Sequence, residues 1–107
     1  MTLPMERETF YPSAGMIQSF KDRDTKKLFE TGFSRRWASI HAVARRKLDQ
    51  LEATANLNDL RTPPGNRLEA LKADRAGQHS IRINDQYRIC FVWKVDGAHE
   101  VEITDYH

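Results

Sequence analysis

Residues 81–97 read IRINDQYRICFVWKVDG, and this stretch decides the fold. Isoleucine, tyrosine, phenylalanine and tryptophan recur at its odd-numbered positions, whereas Arg82 and Arg88 occupy even-numbered ones. A period of two is typical of a β-strand with one face on the core. Residues 84–86 and 96–97 have the composition of hairpin turns, and the alternation resumes after the second of them. The stretch therefore predicts a meander of antiparallel strands whose odd positions face inwards.

Upstream of this stretch, the spacing of the apolar residues indicates helices. The carboxylate of Asp22 or Asp24 is suited to cap a short helix that ends at Gly32. Residues 37–55 carry an apolar stripe at spacings of three and four, which predicts a second helix. Residues 16–20 are typical of a short strand. We therefore expect an α+β domain in which two N-terminal helices pack on a mainly antiparallel sheet.

Length and composition indicate one globular domain. The chain has 107 residues, of which 39% are hydrophobic and 30% charged. No apolar run approaches the roughly 20 residues that span a bilayer, and no secretory signal is recognisable. We therefore expect a cytoplasmic protein without a membrane partner. Residues 1–15 lack periodicity, so we predict a flexible extension there and a domain at residues 16–107.

Cysteine usage and motif content argue against metal and cofactor sites. Cys90 is the only cysteine, so it forms no internal disulfide and builds no metal site alone. Its apolar neighbours predict a packed structural thiol. The sequence has no His-Glu-x-x-His motif, glycine-rich phosphate loop or cysteine pair. We expect neither a metal nor a cofactor.

The net charge of +2 permits a nucleic-acid partner without establishing one. The distribution of the charge is more informative than its sum. Basic residues form two groups along the chain: Arg35, Arg36, Arg45, Arg46 and Lys47 in the first half, and Arg67, Lys72, Arg75, Arg82 and Arg88 in the second.

Arg82 and Arg88 are candidates for a phosphate-binding pair. The predicted strand parity places both on the solvent-exposed face of the sheet, on neighbouring strands. The planar guanidinium fork can donate two hydrogen bonds to phosphate oxygens. The alternative is an ordinary solvated face on which these arginines form ion pairs with Glu100 or Glu102.

The last three residues, Asp105, Tyr106 and His107, bring a carboxylate, a phenol and an imidazole to the end of a predicted strand. An imidazolium can protonate the departing 5′-oxygen of an RNA phosphodiester or stabilise the charge on phosphorus. The alternative is a disordered terminal histidine. Upstream, Glu69 is a candidate base or a group that orients a cation, the alternative being a surface salt bridge. The Arg75 side chain could equally be solvated or bind RNA.

These segments together resemble the HigB branch of the RelE-like bacterial toxins, also called plasmid-maintenance killer proteins. The resemblance covers residues 16–107. It rests on MIQSFK at residues 16–21, RLEALKADRAG at 67–77, SI at 80–81, YRICF at 87–91 and DYH at 105–107.

The resemblance implies two helices packed on a curved antiparallel sheet, the RelE-like fold. It implies an endoribonuclease that cuts mRNA in the ribosomal A site without a metal. It also implies a helix-turn-helix antitoxin of the HigA type, which neutralises the toxin. The toxin–antitoxin complex is expected to repress their shared operon, so the toxin would bind operator DNA only as part of that complex. By position, Asp105, Tyr106 and His107 match the terminal active-site triplet of the family, and Lys72 and Arg88 match its basic residues around the scissile phosphate.

The reaction that the resemblance implies is transesterification, in which the 2′-hydroxyl attacks the adjacent phosphorus. The products are a 2′,3′-cyclic phosphate and a 5′-hydroxyl. Glu69 or Asp105 is expected to accept the proton, and His107 is expected to protonate the leaving oxygen. Arg88 and Lys72 are expected to offset charge on the phosphorane.

Further residues are expected to contact the RNA. Tyr106 is suited to stack on a base or to position the phosphate, and Arg67, Arg75 and Arg82 are suited to bind RNA. One departure from the family concerns Glu69, because some relatives have a histidine at this position and a carboxylate beside RNA phosphate is electrostatically less favourable. Two alternatives therefore stay open on the same fold: a non-catalytic inhibitor that binds RNA or the ribosome, and a transcriptional co-repressor that acts only with its antitoxin.

Overall fold

The computed structural model describes residues 15–105, so the predictions for residues 1–14, Tyr106 and His107 lie outside the described range. The extension at residues 1–15 and its boundary with the domain remain predictions. The described chain has two α-helices and four β-strands, which confirms the α+β class. In chain order the elements are α1 (Arg23–Thr31), α2 (His41–Ala53), β1 (Glu69–Ala70), β2 (His79–Arg82), β3 (Tyr87–Lys94) and β4 (Gly97–Asp105). Within the described residues, no helix is long and apolar enough to cross a membrane.

The strands form one antiparallel sheet in the order β1-β2-β3-β4, as the meander predicts. The predicted strand at residues 16–20 is only partly formed. It lies parallel to β4 and makes two isolated bridges, Ile17 with Ala98 and Phe20 with Val101. The Met16 carbonyl accepts a hydrogen bond from Ala98 N at 2.8 Å. Gly97 has a φ of 129°, and a Cβ at this position would clash with that carbonyl, so glycine fits both the turn and the close approach.

A β-bulge bends β4 where it meets the N-terminal segment. Cys90 is paired with Glu102 and Val92 with His99, so two residues of β4 oppose one residue of β3. Glu100, in the bulge, has a φ of 50°, and its N–H donates to Ser19 Oγ at 2.9 Å. The bulge thus turns one amide of β4 out of the sheet ladder and onto the neighbouring segment.

The helix signals in the sequence are mostly confirmed. The Asp22 carboxylate accepts from Thr25 N at 2.9 Å and caps α1, and Gly32 ends the helix with a φ of 83°. The second helix is shorter than predicted, because residues Arg35–Ile40 form a 3₁₀ segment before α2 begins. Trp37, with a φ of −108° and a ψ of 24°, interrupts the helical path there. Its indole packs edge-on against Tyr87 with ring centroids 5.5 Å apart, so tertiary packing outweighs local propensity at this position.

The hydrophobic core lies between the helices and one face of the sheet, which carries odd-numbered residues from Ile81 to Phe91, as predicted; Val95 is exposed and even-numbered Ala98 is buried, because the bulge in β4 shifts the parity there. Its buried members are Leu28, Trp37, Ile40, Ala44, Leu48, Leu51, Leu60, Ile81, Ile83, Ile89, Phe91, Ala98, Val101 and Ile103. Cys90 is fully buried on the opposite face, with its Sγ 3.3 Å from Thr104 Oγ1. This burial confirms the predicted structural thiol.

One buried amide fixes the loop that leads into β1. Asn66 is 0% exposed, and its Nδ2 donates to Gln50 Oε1 on α2 at 3.0 Å and to the carbonyls of Leu60 and Thr62 at 3.1 and 3.3 Å. Its Oδ1 accepts a hydrogen bond from Lys47 Nζ, also on α2. Because every polar atom of this side chain has a partner, burial stabilises the loop instead of penalising it.

We expect Asn66→Ala to lower the free energy of unfolding by about 2–4 kcal/mol, because the substitution leaves several buried partners unsatisfied. Asn58→Ala is the matched control. Asn58 is exposed and its side chain accepts a long hydrogen bond from Arg61 Nε at 3.4 Å, so its loss should stay within about 0.5 kcal/mol. Urea unfolding followed by tryptophan fluorescence measures both. Equal losses in the two variants would contradict this account of the loop.

Candidate active site

The even-numbered face of the sheet is not the solvated surface that strand parity predicts. Arg88 is only 6% exposed, so the predicted solvent-exposed position of its side chain is wrong. The cause is the segment that follows Asn66, which folds across this face. Its two-residue strand β1 pairs with β2 through Glu69 and Ser80, which brings residues 67–70 beside the Arg88 side chain.

Arg88 is held at several points of its guanidinium. Its Nε donates to Ser80 Oγ at 2.7 Å, and its Nη2 donates to the Arg67 carbonyl at 2.6 Å and to the Ser80 carbonyl at 3.4 Å. Glu69 Oε1 lies 3.6 Å from Nη2 and forms an ion pair. A buried charge that is paired and hydrogen-bonded in this way keeps a fixed orientation.

Arg82 lies directly opposite Arg88 in the β2–β3 ladder, as the predicted phosphate pair requires. The environments of the two side chains differ, because Arg82 is more exposed and forms an ion pair with Asp85 in the hairpin turn. Burial, with the charges of Arg46 and Arg82, lowers the pKa of Lys47, so the positive field of this region extends to α2. Within residues 15–105, Arg82 forms an ion pair with Asp85 and Arg88 forms one with Glu69. The alternative ion pairs with Glu100 or Glu102 are not observed among these residues.

Glu102 instead binds Arg75. The Arg75 Nη1 lies 3.1 Å from Glu102 Oε2 and 3.0 Å from Gln78 Oε1, and Lys21 Nζ lies 3.4 Å from the same carboxylate oxygen of Glu102. The hydrogen bond to Glu102 raises the pKa of Arg75 above its usual value. Arg75 therefore serves the fold, although its side chain remains 37% exposed and accessible to RNA.

The end of β4 supplies the first residue of the predicted terminal triplet. Asp105 is exposed and paired with Tyr87 in the β3–β4 ladder, and its Oδ2 accepts from Gln86 Nε2 at 3.1 Å. A groove of about 460 Å³ opens at this point between Trp37 and the ends of β3 and β4. Tyr106 and His107 follow directly but lie outside the described residues.

The segment that carries the candidates Glu69 and Lys72 lies between two residues with a left-handed backbone conformation. Arg67 has a φ of 46° and Ala73 a φ of 54°, conformations that side chains rarely adopt without tertiary support. Between them, Glu69 is half-exposed and Lys72 is exposed. The structure therefore joins Arg67 and Glu69 to Arg88 through direct contacts, whereas for Lys72 it shows an exposed side chain three positions after Glu69.

Sequence reasoning missed two residues of this region, Ser80 and Gln86. Ser80 shares the even parity of Arg82 and Arg88, which was a usable signal, but a serine within a strand is chemically inconspicuous. Gln86 lies in a turn, and its contact with Asp105 joins residues 19 positions apart. The cluster thus combines a fixed cation with the Glu69 carboxylate, which suits charge stabilisation at a phosphodiester, whereas Asp105 is paired with Tyr87 and has the opposite strand parity to Arg88.

Comparison with known proteins supplies the family context for this geometry. A family model described as the RelE-like toxin of the type II toxin-antitoxin system HigB matches residues 18–107. Toxin HigB-1 of Vibrio cholerae is 43% identical over 85 residues, which cover 78% of this chain and 88% of that protein. Endoribonuclease HigB of Proteus vulgaris is 31% identical over 98 residues, which cover 86% of this chain and all of that protein. An uncharacterised Haemophilus influenzae protein is 36% identical over 81 residues, 74% of this chain and 78% of that protein.

The burial of Arg88 leads to a prediction about stability. We expect Arg88→Ala to lower the free energy of unfolding by about 2–4 kcal/mol, because it removes a buried cation and leaves Ser80 without its partner. Arg82→Ala, at the opposite ladder position, is the control and should change stability by less than about 1 kcal/mol, since its ion pair is largely exposed. Chemical unfolding curves of the two variants test the contrast, and an Arg88→Ala protein as stable as the parent would refute it.

Proposed function

The chain belongs to the HigB family of RelE-like toxins of type II toxin–antitoxin systems, and we propose that it is a ribosome-dependent endoribonuclease that cleaves mRNA and so inhibits translation. The observation that carries this proposal is the Arg88 guanidinium, which is buried, held by Ser80 and the Arg67 carbonyl, and paired with Glu69. The Proteus vulgaris relative is named an endoribonuclease, which supports the proposed activity.

In the proposed reaction, the 2′-hydroxyl attacks the adjacent phosphorus and the 5′-oxygen leaves. Arg88 and Lys72 stabilise the negative charge that develops on the phosphorane oxygens. His107 protonates the leaving oxygen, and Tyr106 stacks on a base or positions the phosphate. The products carry a 2′,3′-cyclic phosphate and a 5′-hydroxyl, and no step requires a metal ion.

Glu69 and Asp105 are the two candidates for the general base, and their contacts differ. Glu69 is engaged with Arg88 at 3.6 Å, which suits a residue that orients the cation. Asp105 is exposed at the end of β4, and its Oδ2 accepts a hydrogen bond from Gln86 Nε2 at 3.1 Å. We therefore propose that Glu69 orients Arg88, and that Glu69 or Asp105 accepts the proton.

A site with one buried cation and few strong acids and bases needs a substrate that arrives in attack geometry. We propose that the ribosome supplies this by holding the mRNA in its A site, since fixed orientation alone can contribute a large part of a rate enhancement. The exposed cations Arg67 and Lys72 and the partly exposed Arg75 and Arg82 would then contact RNA phosphates around the cleavage point.

Membership in a type II system implies an antitoxin partner. We propose a helix-turn-helix antitoxin of the HigA type, with operator DNA bound only by the toxin–antitoxin complex, and a cytoplasmic location where mRNA and ribosomes are found. The RelE-like fold, with helices on one face of a curved sheet, is supported by the two helices and the bulged antiparallel sheet.

Mapping of mRNA 5′ ends after brief induction, without the antitoxin, tests the proposed activity. We expect growth arrest together with new 5′-hydroxyl ends inside translated reading frames, which require phosphorylation before adapter ligation. Arrest without new ends would favour the non-catalytic inhibitor. Normal growth in the presence of verified folded protein would leave only the co-repressor.

His107→Ala should lower the single-turnover rate of mRNA cleavage on programmed ribosomes by about 10²–10⁴-fold, the usual contribution of a positioned acid. Its effect on stability should be small because the residue is terminal. His41→Ala is the matched control, since the His41 ring lies at the start of α2, where it bonds the Ala38 carbonyl at 2.8 Å and packs on Phe33. Parent-like cleavage by His107→Ala would remove His107 from the role of the acid.

A further inference from the structure

We propose that Ser80 is a positioning residue of the active site, which sets the orientation of the Arg88 guanidinium toward the scissile phosphate of the RNA. The inference rests on the proposed function and adds to it a residue that contacts no substrate. Ser80 lies in the middle of β2, where its neighbours across the sheet are Glu69 on β1 and Cys90 on β3.

Ser80 binds the guanidinium at two points. Its Oγ accepts from Arg88 Nε at 2.7 Å, and its carbonyl accepts from Nη2 at 3.4 Å. Two contacts to different nitrogens of a planar group fix both the plane and its rotation about the side-chain axis. The Arg67 carbonyl and Glu69 also bind Nη2, whereas Ser80 Oγ binds Nε.

Because Ser80 is buried, solvent cannot replace the hydrogen bond between its Oγ and Arg88 Nε. Ser80 is 0% exposed, so a water molecule does not readily take the place of a deleted hydroxyl. Without Oγ, the charged Nε–H loses a short hydrogen bond, and the guanidinium loses one of the contacts that set its orientation. A catalytic cation that must be preorganised before the phosphorane forms would then begin each turnover in the wrong orientation.

The expected signature is a loss in rate with little loss in binding. Ser80→Ala should lower the single-turnover cleavage rate at saturating toxin by about 10–100-fold, the range of one hydrogen bond to a charged group. The toxin concentration that gives half the maximal rate should change by less than about twofold, since Ser80 does not touch the RNA. Ser80→Thr retains the hydroxyl and should recover most of the rate.

A double-mutant cycle separates positioning from mere structural support. Arg88→Lys keeps a positive charge but has no Nε–H, so Ser80→Ala should cause no further loss beyond about twofold in that background. Ser34→Ala is the matched control, because Ser34 is also a buried serine but lies before the 3₁₀ segment. Its effects should be small and the same in both backgrounds. A Ser80→Ala loss of equal size in the parent and in the Arg88→Lys variant would overturn the inference.

An NMR measurement on the parent protein tests the contact even where Ser80→Ala does not fold. The Arg88 Nε–H resonance, assigned by its loss in Arg88→Lys, should exchange with solvent far more slowly than that of Arg36, which is 58% exposed. Equal exchange would overturn the inference. If the parent protein cleaves no mRNA, the proposed function and this inference are both rejected. If the parent cleaves mRNA but the rate losses of Ser80→Ala and Arg88→Lys are additive, only the role of Ser80 is rejected.

Discussion

A guanidinium that leaves water must find acceptors inside the protein, and the acceptors of Arg88 organise the face of the sheet opposite the helices. Burial of an unpaired charge is strongly unfavourable, so the backbone of Arg67, the hydroxyl of Ser80 and the carboxylate of Glu69 have to be where they are for the sheet to be stable. The left-handed backbone at Arg67 and the two-residue strand β1 are the local means of delivering them. The same contacts that satisfy the charge also fix its direction.

The loop before β1 depends on a second buried polar group. Asn66 ties the loop to α2 through Gln50 and Lys47, directly before the residue whose carbonyl reaches Arg88. Helix α2 thus contributes to the candidate active site without placing a side chain in it. The arrangement illustrates how fully satisfied polar networks specify a unique geometry where an apolar contact would allow sliding.

Local signals in the sequence were sufficient for most of the fold. The Asp22 cap, the Gly32 terminus and the hairpin at residues 96–97 each depend on neighbouring residues, and all are confirmed, while the strand alternation holds from Ile81 to Phe91 on the core face. The burial of Arg88 could not be predicted in this way, because parity gives the face of a sheet and not what covers it. The segment that covers Arg88 has no periodicity of its own.

The packing of Trp37 could not be predicted from local signals either, because its contact with Tyr87 spans 50 residues and converts the predicted helix start into a 3₁₀ segment. Of the candidate site, Arg67, Glu69 and Arg88 form one contacting cluster, while the roles of Tyr106 and His107 stay predictions that only the chemistry of the family supports.

The borders of the sheet limit how another protein chain can join it. Within residues 15–105, one border is β1, which has two residues, and the other is the segment at residues 16–20, which meets β4 only at isolated bridges. The long strand β3 is interior, and the outer edge of β4 is occupied by the N-terminal segment at Ala98 and Val101. An incoming strand would find too few consecutive amide and carbonyl groups to form a stable ladder. An antitoxin that recognises this region therefore has to read side chains and surface shape, and the protein is correspondingly protected against edge-to-edge aggregation when its partner is absent.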